Sequence, residues 1–557
     1  MRDITDLQAR RDAEIATERP IITVRAGELA ETIERAVAVL RDAGVEIYER
    51  GGMLVRPVHV VEPMTGSVRR PRGAVVLVAV DADWLRVQLA TVARWRRYTR
   101  GSDGDPQERS IDPPVDIART IARVPDVGRW PPLRAVVRHP ILWPDGTWTG
   151  ARGYHDGLLL DVDGAWPEPG TTRADAEAAL ATLRAHVRYY TWAMPADESV
   201  AMSMLVTAVA RPVLEAAPMH ALDAPAAGSG KSLLADVAAI LATGARAAVM
   251  DYGRDPDEAA KRLDGMLLAG DAVIALDNIE APLEGATLCQ TLTQPSRRIR
   301  PLGASTMVTV PCTALLLATG NNLTIRGDLV RRSIVCRIDA GVERPELREI
   351  PQDIVAETIE RRAELVAAAQ TIARAYVLAG CPPVDVPPLG SYREWTRLVR
   401  APLVWVGMPD PAGVIERARA DDPSREAVVA VLGAWRAAYG DEAVTAHGAI
   451  ARAEHDRDLH DALAMVALRR GQIDARALGY WLRAHRDARS GGLTLRLAGR
   501  PRGTAIWRVT GPSGGDGGDG GDVPPPRGRA REGTDIELAQ TSPPSPPSPP
   551  PDAEVPF

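Results

Sequence analysis

LDAPAAGSGKSLLADVAAIL, residues 222–241, sets an apolar run, a glycine-rich turn and a helix-forming stretch in direct succession. Glycines at 228 and 230 let the backbone curl so that successive N–H groups converge on one point. The N-terminus of the following helix adds its positive dipole end there. A loop of this kind holds phosphate. The expected contacts are Ala227, Gly228, Ser229, Gly230, Lys231, Ser232 and Leu233, with Lys231 a compact charge for the outer phosphates and the Ser232 hydroxyl a ligand for Mg2+. A guanidinium is too broad and planar for that slot. Arginine has replaced lysine almost everywhere in this chain, and Lys231 is one of only two lysines. Pro225 stands where such loops usually carry their first glycine, outside the tight part of the turn.

Working outward, a phosphate loop needs an acid on a neighbouring strand to hold the metal's water shell. DAVIALDNIE (271–280) ends a short apolar run on Asp277, the expected partner of Ser232 at Mg2+. Asn278 follows it, where a glutamate would be the usual activator of the attacking water. Either Glu280 or another acid takes that role, or hydrolysis is slow. ALLLATGNN (314–322) ends in Asn321 and Asn322, neutral amides able to bond the γ-phosphate or the lytic water without adding negative charge. GDLVRRSIVCRID (327–339) offers Arg331 and Arg332 as arginine fingers, or as an ordinary solvated pair.

With 557 residues the chain is long enough for two to four domains. Apolar content is 45% and net charge −6, which argues against a protein that coats nucleic acid over its whole surface but permits a local basic patch. No run approaches the roughly 20 apolar residues of a membrane span, and the first residues lack a secretory apolar core. Cys289, Cys312, Cys336 and Cys381 are widely spaced, which suits a reduced, cytoplasmic protein and suggests no metal cluster.

The expected class is α/β: a parallel-sheet P-loop ATPase core with an N-terminal α/β domain, a C-terminal winged-helix-like domain and a disordered tail. The boundaries read as 1–127 for the N-terminal unit, 128–217 for a strand-rich segment with a helical linker, and 218–349 for the core. A helical extension follows over 350–423, a basic domain over 424–510 and the tail over 511–557. Three apolar runs, Met219 to Leu222, Ala272 to Leu276 and Ala314 to Ala318, read as buried parallel strands. Helices are expected over Glu28 to Ala43, Trp84 to Tyr98, Arg173 to Trp192, Asp197 to Ala217 and Ile354 to Ala379. Asp81 and Asp83 match the paired carboxylates of primase-polymerases, or else cap the helix that follows.

Taken together, APAAGSGKS (224–232), VIALDNIE (273–280), LCQTLTQPSRRIRPLGAS (288–305), LLLATGNNL (315–323) and GDLVRRSIVCRID resemble the helicase domains of phage, plasmid and integrated-element replication proteins. Those are AAA+ ATPases close to the superfamily 3 helicases and to the helicase halves of primase-helicases. The resemblance spans about 218–349 and extends more weakly to Trp130 upstream and to GSYREWTRLVRAPLVWVG (390–407) downstream. It implies that the Asn321 strand lies between the P-loop strand and the Asp277 strand. It also implies ATP and Mg2+ as cofactors, a hexameric ring with ATP between subunits, and single-stranded DNA in the pore. A DNA-contacting hairpin is expected at 296–311, with Arg297, Arg298 and Arg300 offered to phosphates, or else an ordinary surface hairpin.

Between Val466 and Thr510 ten arginines face two aspartates. The helix DARALGYWLRAHRD (474–487), with Arg476, Arg483 and Arg486, precedes a hairpin carrying Arg496, Arg500, Arg502 and Arg508, a pattern that suits duplex DNA. The chain ends PPPDAEVPF. Asp552, Glu554, Val555, Pro556 and Phe557 are similar to the C-terminal peptide of bacterial single-stranded-DNA-binding proteins, which implies host receptors of that peptide as partners. The expectation is an ATP-driven replicative helicase of a mobile element. The alternatives are an ATP-switched origin-binding initiator that does not unwind and a primase-helicase.

Overall fold

The computed structural model describes residues 19–100, 106–277, 279, 281–301, 307–348, 353–420 and 423–511. Its centre is a six-stranded mixed sheet. In chain order the strands are β1 (Val68–Arg69), β2 (Met219–Ala224), β3 (Ala248–Asp251), β4 (Val273–Asp277), β5 (Leu315–Asn321) and β6 (Ser333–Arg337), and across the sheet they run β6-β2-β5-β4-β3-β1. Strands β2 to β6 are mutually parallel, and β5 lies between β2 and β4. Their apolar runs are buried on both faces, as parallel strands covered by helices must be. The expectation of a purely parallel sheet is corrected at one edge. β1, from the N-terminal segment, pairs antiparallel with β3 through Val68 opposite Met250 and Arg69 opposite Val249.

One face of the sheet is covered by the helix Lys231–Thr243 and by Pro195–Ala210, whose interior is buried on every side from Ser199 to Val209. A helix apolar all round belongs inside a molecule. Asp197, fully buried, accepts from the Met194 N–H at its N-terminus, from the Arg337 N–H, and from both terminal nitrogens of Arg417. The other face packs on the helices Pro256–Leu268 and Ala286–Thr293.

Four helix readings are corrected. The segment from Trp84 to Tyr98 is a helix only to Val92. Asp81 caps it, accepting from the Trp84 N–H at 2.7 Å, and Arg94–Arg100 is a strand parallel to Ile21–Val24. Pairing with Ile21–Val24 on one side and Pro106–Ile111 on the other holds this segment extended and overrides helix propensity. Arg173–His186 stops short of Trp192, because Thr191 to Ala193 pair in extended form with Arg337 to Asp339. The helix starting after Met194 ends at Ala210, where Arg211 turns inward to three carbonyls. Ile354 to Ala379 is two helices, Ile354–Glu360 and Arg362–Leu378, because Arg361 leaves helical geometry and Arg362 reaches the carbonyls of Ile240, Leu241 and Arg138.

The N-terminal segment is docked on this core. Buried Arg50 donates to the Leu133 and Leu267 carbonyls, and the Leu77 N–H donates to the Ala269 carbonyl. Gly51 lies so close to Thr309 that a Cβ would stand 2.1 Å from its carbonyl oxygen. Residues 423–511 form helices Pro423–Tyr439, Ala446–Ala453, Arg457–Ala467 and Ala475–Ala484, followed by the hairpin Leu493–Gly499 and Ile506–Thr510, around buried Trp435 and Trp507. Among the described residues no helix is long and apolar enough to cross a membrane. The tail residues Asp552 to Phe557 lie outside the described residues.

Candidate functional site

Parallel strands end together, so their carboxyl ends build a crevice where the chain crosses from strand to helix. Here that crevice is a cavity of about 740 Å³. It is lined by Ala227, Gly228, Ser229, Gly230, Lys231, Ser232, Leu233, Asp277 and Asn321. These are all the expected nucleotide and metal contacts. The loop's shape follows from its glycines. Gly228 (φ +76°) and Gly230 (φ +86°) adopt left-handed backbone that other residues avoid. A Cβ on Gly228 would lie 2.7 Å from the Glu346 Cβ and 3.0 Å from its Cα and amide nitrogen. A Cβ on Gly230 would press on the Tyr190 ring at 3.1 Å, and the Tyr190 hydroxyl donates to the Gly230 carbonyl at 3.0 Å.

Lys231 is 9% exposed, and its ammonium donates to the Asn321 Oδ1 at 2.8 Å, the Ser229 hydroxyl at 2.9 Å and the Ala226 carbonyl at 3.1 Å. All three acceptors are neutral. Burial pushes the Lys231 pKa below the usual lysine value, against a smaller opposing pull from Asp223. A buried cation whose hydrogen-bond partners are all neutral is poised for an anionic ligand. Asp223 is itself taken up by the fold, accepting from the Leu323 N–H at 2.8 Å and pairing with Arg337 at 3.1 Å.

Asp277 is 39% exposed and accepts from the Thr319 hydroxyl at 2.9 Å through Oδ1. Its Oδ2 faces Arg69 at 3.3 Å, and the same guanidinium reaches the Asp251 Oδ1 at 3.2 Å. Asp251 and Asp277 are register partners on β3 and β4. Among the described residues no group of three or more His, Cys, Asp or Glu could hold a metal alone. Ser232 and Asp277 are hard oxygen donors, and the loop is a backbone cradle beside them. That set fits Mg2+, which keeps several waters and takes further oxygens from phosphate. Asn278 and Glu280, the positions in question for activating water, lie outside the described residues.

Neither candidate finger lines this cavity. Arg332, 14% exposed, is held within its own chain by Asp328, the Thr293 hydroxyl and the Cys289 carbonyl. Arg331 is 53% exposed, contacts Asp328 and borders a separate cavity with Arg419. In the hairpin Ser296–Ile299 and Val308–Pro311, Arg297 does not face outward as a phosphate contact would require. Strand alternation turns it inward with Ile299, and it pairs with Asp264 at 2.9 Å, while Arg298 and Arg300 face outward. On the helix Ala475–Ala484, Leu478 and Leu482 are buried, and Arg476, Tyr480 and Arg483 form the exposed face.

No protein-family model and no curated protein sequence matches the chain. Solved structures similar to it include the A-form apo structure of the NrS-1 C-terminal region, aligned over 86% of this chain and 100% of that one at 11% identity, with a TM-score of 0.35. A second such structure, covering residues 305–718 of NrS-1, aligns over the same shares at 10% identity and a TM-score of 0.33.

Sequence reasoning missed Arg69, Asp251, Thr319, Asp223 and Tyr190. Thr319 and Asp223 carried a signal, each being a polar residue inside an otherwise apolar run. Arg69 and Tyr190 carried none, since each meets the site only through the fold.

Proposed function

We propose that the chain is an ATP-hydrolysing DNA-replication motor, with a P-loop core of the AAA+ type and a likeness to superfamily 3 helicase domains. One observation carries the reading. Lys231, the sole cationic residue lining the strand-end cavity among the described residues, meets Asn321 on the strand lying between the loop strand and the Asp277 strand.

In this reading the loop amides and Lys231 bind the phosphates of ATP and hold them against the helix dipole. Ser232 and Asp277 would hold Mg2+, which supplies charge neutralisation to the transferring phosphoryl group when bound. Thr319 fixes the Asp277 carboxylate. Asn321, freed from Lys231 when phosphate takes up that ammonium, turns its amide to the γ-phosphate or the attacking water. Arg331 extends to the cavity of a neighbouring copy in a hexameric ring, and Arg332 is the strut that sets its direction. Single-stranded DNA is the track. The Arg476, Tyr480 and Arg483 face engages duplex DNA, with Arg483 stacked 6.0 Å from the Tyr480 ring.

The test is phosphate release with and without single-stranded DNA, followed by strand displacement, for the native chain and for Lys231→Ala. DNA-stimulated turnover lost in the variant supports the motor. ATP binding with negligible turnover at every DNA concentration refutes it and favours the second reading, an ATP-switched initiator. Asn278, where a glutamate would activate water, is the observation behind that alternative.

A further inference from the structure

The N-terminal segment puts a charge into the candidate metal site. β1 is only two residues long, yet it is fixed firmly. Arg70 is 9% exposed and grips the buried Asp271 carboxylate in a bidentate pair, Nε at 2.9 Å from Oδ1 and Nη2 at 2.6 Å from Oδ2. The Asp251 N–H closes on the Ser67 carbonyl at 3.1 Å. Successive residues of a strand point to opposite sides. With Arg70 locked inward on Asp271, Arg69 is delivered to the strand ends, where Asp251 and Asp277 stand side by side.

Two carboxylates in register on adjacent strands repel each other, and a guanidinium between them relieves this. The Oδ2 of Asp277 that Arg69 engages belongs to the carboxylate that Mg2+ needs in the proposed function. A guanidinium and a divalent ion both want the same lone pairs, and they cannot share them closely because both are cations.

We infer that Arg69 is a positioning residue that competes with the divalent cation for Asp277, with Asp251 as its second anchor. Arg69 holds the carboxylate in place when metal is absent. On metal binding it is drawn onto Asp251, staying in the site beside the phosphates. The N-terminal segment thereby sets the Mg2+ concentration at which nucleotide loads. This rests on the nucleotide-site reading of the Lys231 loop.

The consequence is a pair of opposed effects, which a merely structural role does not produce. Fluorescent ATP-analogue binding to the full chain is titrated with Mg2+, reading the Mg2+ midpoint by fluorescence rather than by turnover. Arg69→Ala lowers the midpoint about twofold to fivefold, the scale of a part-exposed ion pair. Asp251→Asn raises it, because Arg69 then rests wholly on Asp277. In the double variant the Asp251→Asn effect vanishes, since the competitor is gone. Arg69→Gln, which keeps a donor without the charge, follows Arg69→Ala. An unchanged or raised midpoint in Arg69→Ala, with the native chain binding normally, overturns the inference alone. If the native chain binds no analogue at any Mg2+ concentration, the nucleotide-site reading falls and takes this with it.

Discussion

Removing the Lys231 ammonium by Lys231→Ala is expected to lower ATP turnover by about 100-fold or more, the scale set by losing one preorganised electrostatic group. Its three neutral acceptors, Asn321, Ser229 and Ala226, can turn to water, so thermal stability should hold. A variant that keeps near-native phosphate release would remove Lys231 from the mechanism. The two arginines should separate in kind. Arg331→Ala is expected to reduce turnover by about 1000-fold with nucleotide affinity retained, as losing a finger does. Arg332→Ala should act mainly on stability, because it frees the Cys289 carbonyl, Thr293 and Asp328 together. Thermal melts beside turnover on both variants decide it. Much of this scale was legible from the chain. Lysine is so rare here that Lys231 stood out, and Asp277 and Asn321 each close an apolar run. Arg69 was hidden because its partner Asp277 lies 208 positions away and nothing local in an arginine-rich sequence marks one guanidinium over another.

Among the elements, the buried helix Pro195–Ala210 depends on one carboxylate. Asp197 joins its N-terminus to β6 and to Arg417, so Asp197→Ala removes a fully buried carboxylate that serves a part-buried guanidinium and two backbone donors. Breaking such a pair costs about 3–5 kcal/mol, measurable as a lower urea midpoint at constant slope. An unchanged midpoint would show the network to be idle. Whereas β1, β3 and β6 were not read from the chain, strands β2, β4 and β5 were readable because unbroken apolar runs between helices admit little else. Their order was implied only through the family resemblance, and the observed order β2-β5-β4 agrees with it. Helix ends were read less well. Arg94–Arg100 became a strand through pairing with Ile21–Val24, and Arg361 broke a helix through contacts made by its neighbour. Both are tertiary effects with no local signature.

At the scale of the whole molecule, acid sensitivity is set by histidines that the fold keeps neutral. Burial pushes His139 down to about 4 and His220 down to about 3. In the unfolded chain both take protons near about pH 6.5. Below that value the unfolded state binds protons that the native state refuses, so stability is complete above about pH 6.5 and is lost as pH falls. From there to about pH 5 the two together cost about 3 kcal/mol. Urea midpoints at about pH 7 and about pH 5 test this, and His220→Gln should shrink the difference between them. Equal shrinkage by a surface histidine variant would assign the effect elsewhere. The two-residue strand β1 also bears on how the protein can be handled. It covers the outer hydrogen-bonding edge of β3, whose other side is already paired with β4. A chain trimmed to begin at residue 128 would bare that edge, and an uncovered strand recruits the strands of other molecules. Attempts to produce the half that carries the central sheet by itself should therefore yield aggregates, and the piece needed to keep it in solution is the one that sequence boundaries suggest leaving out.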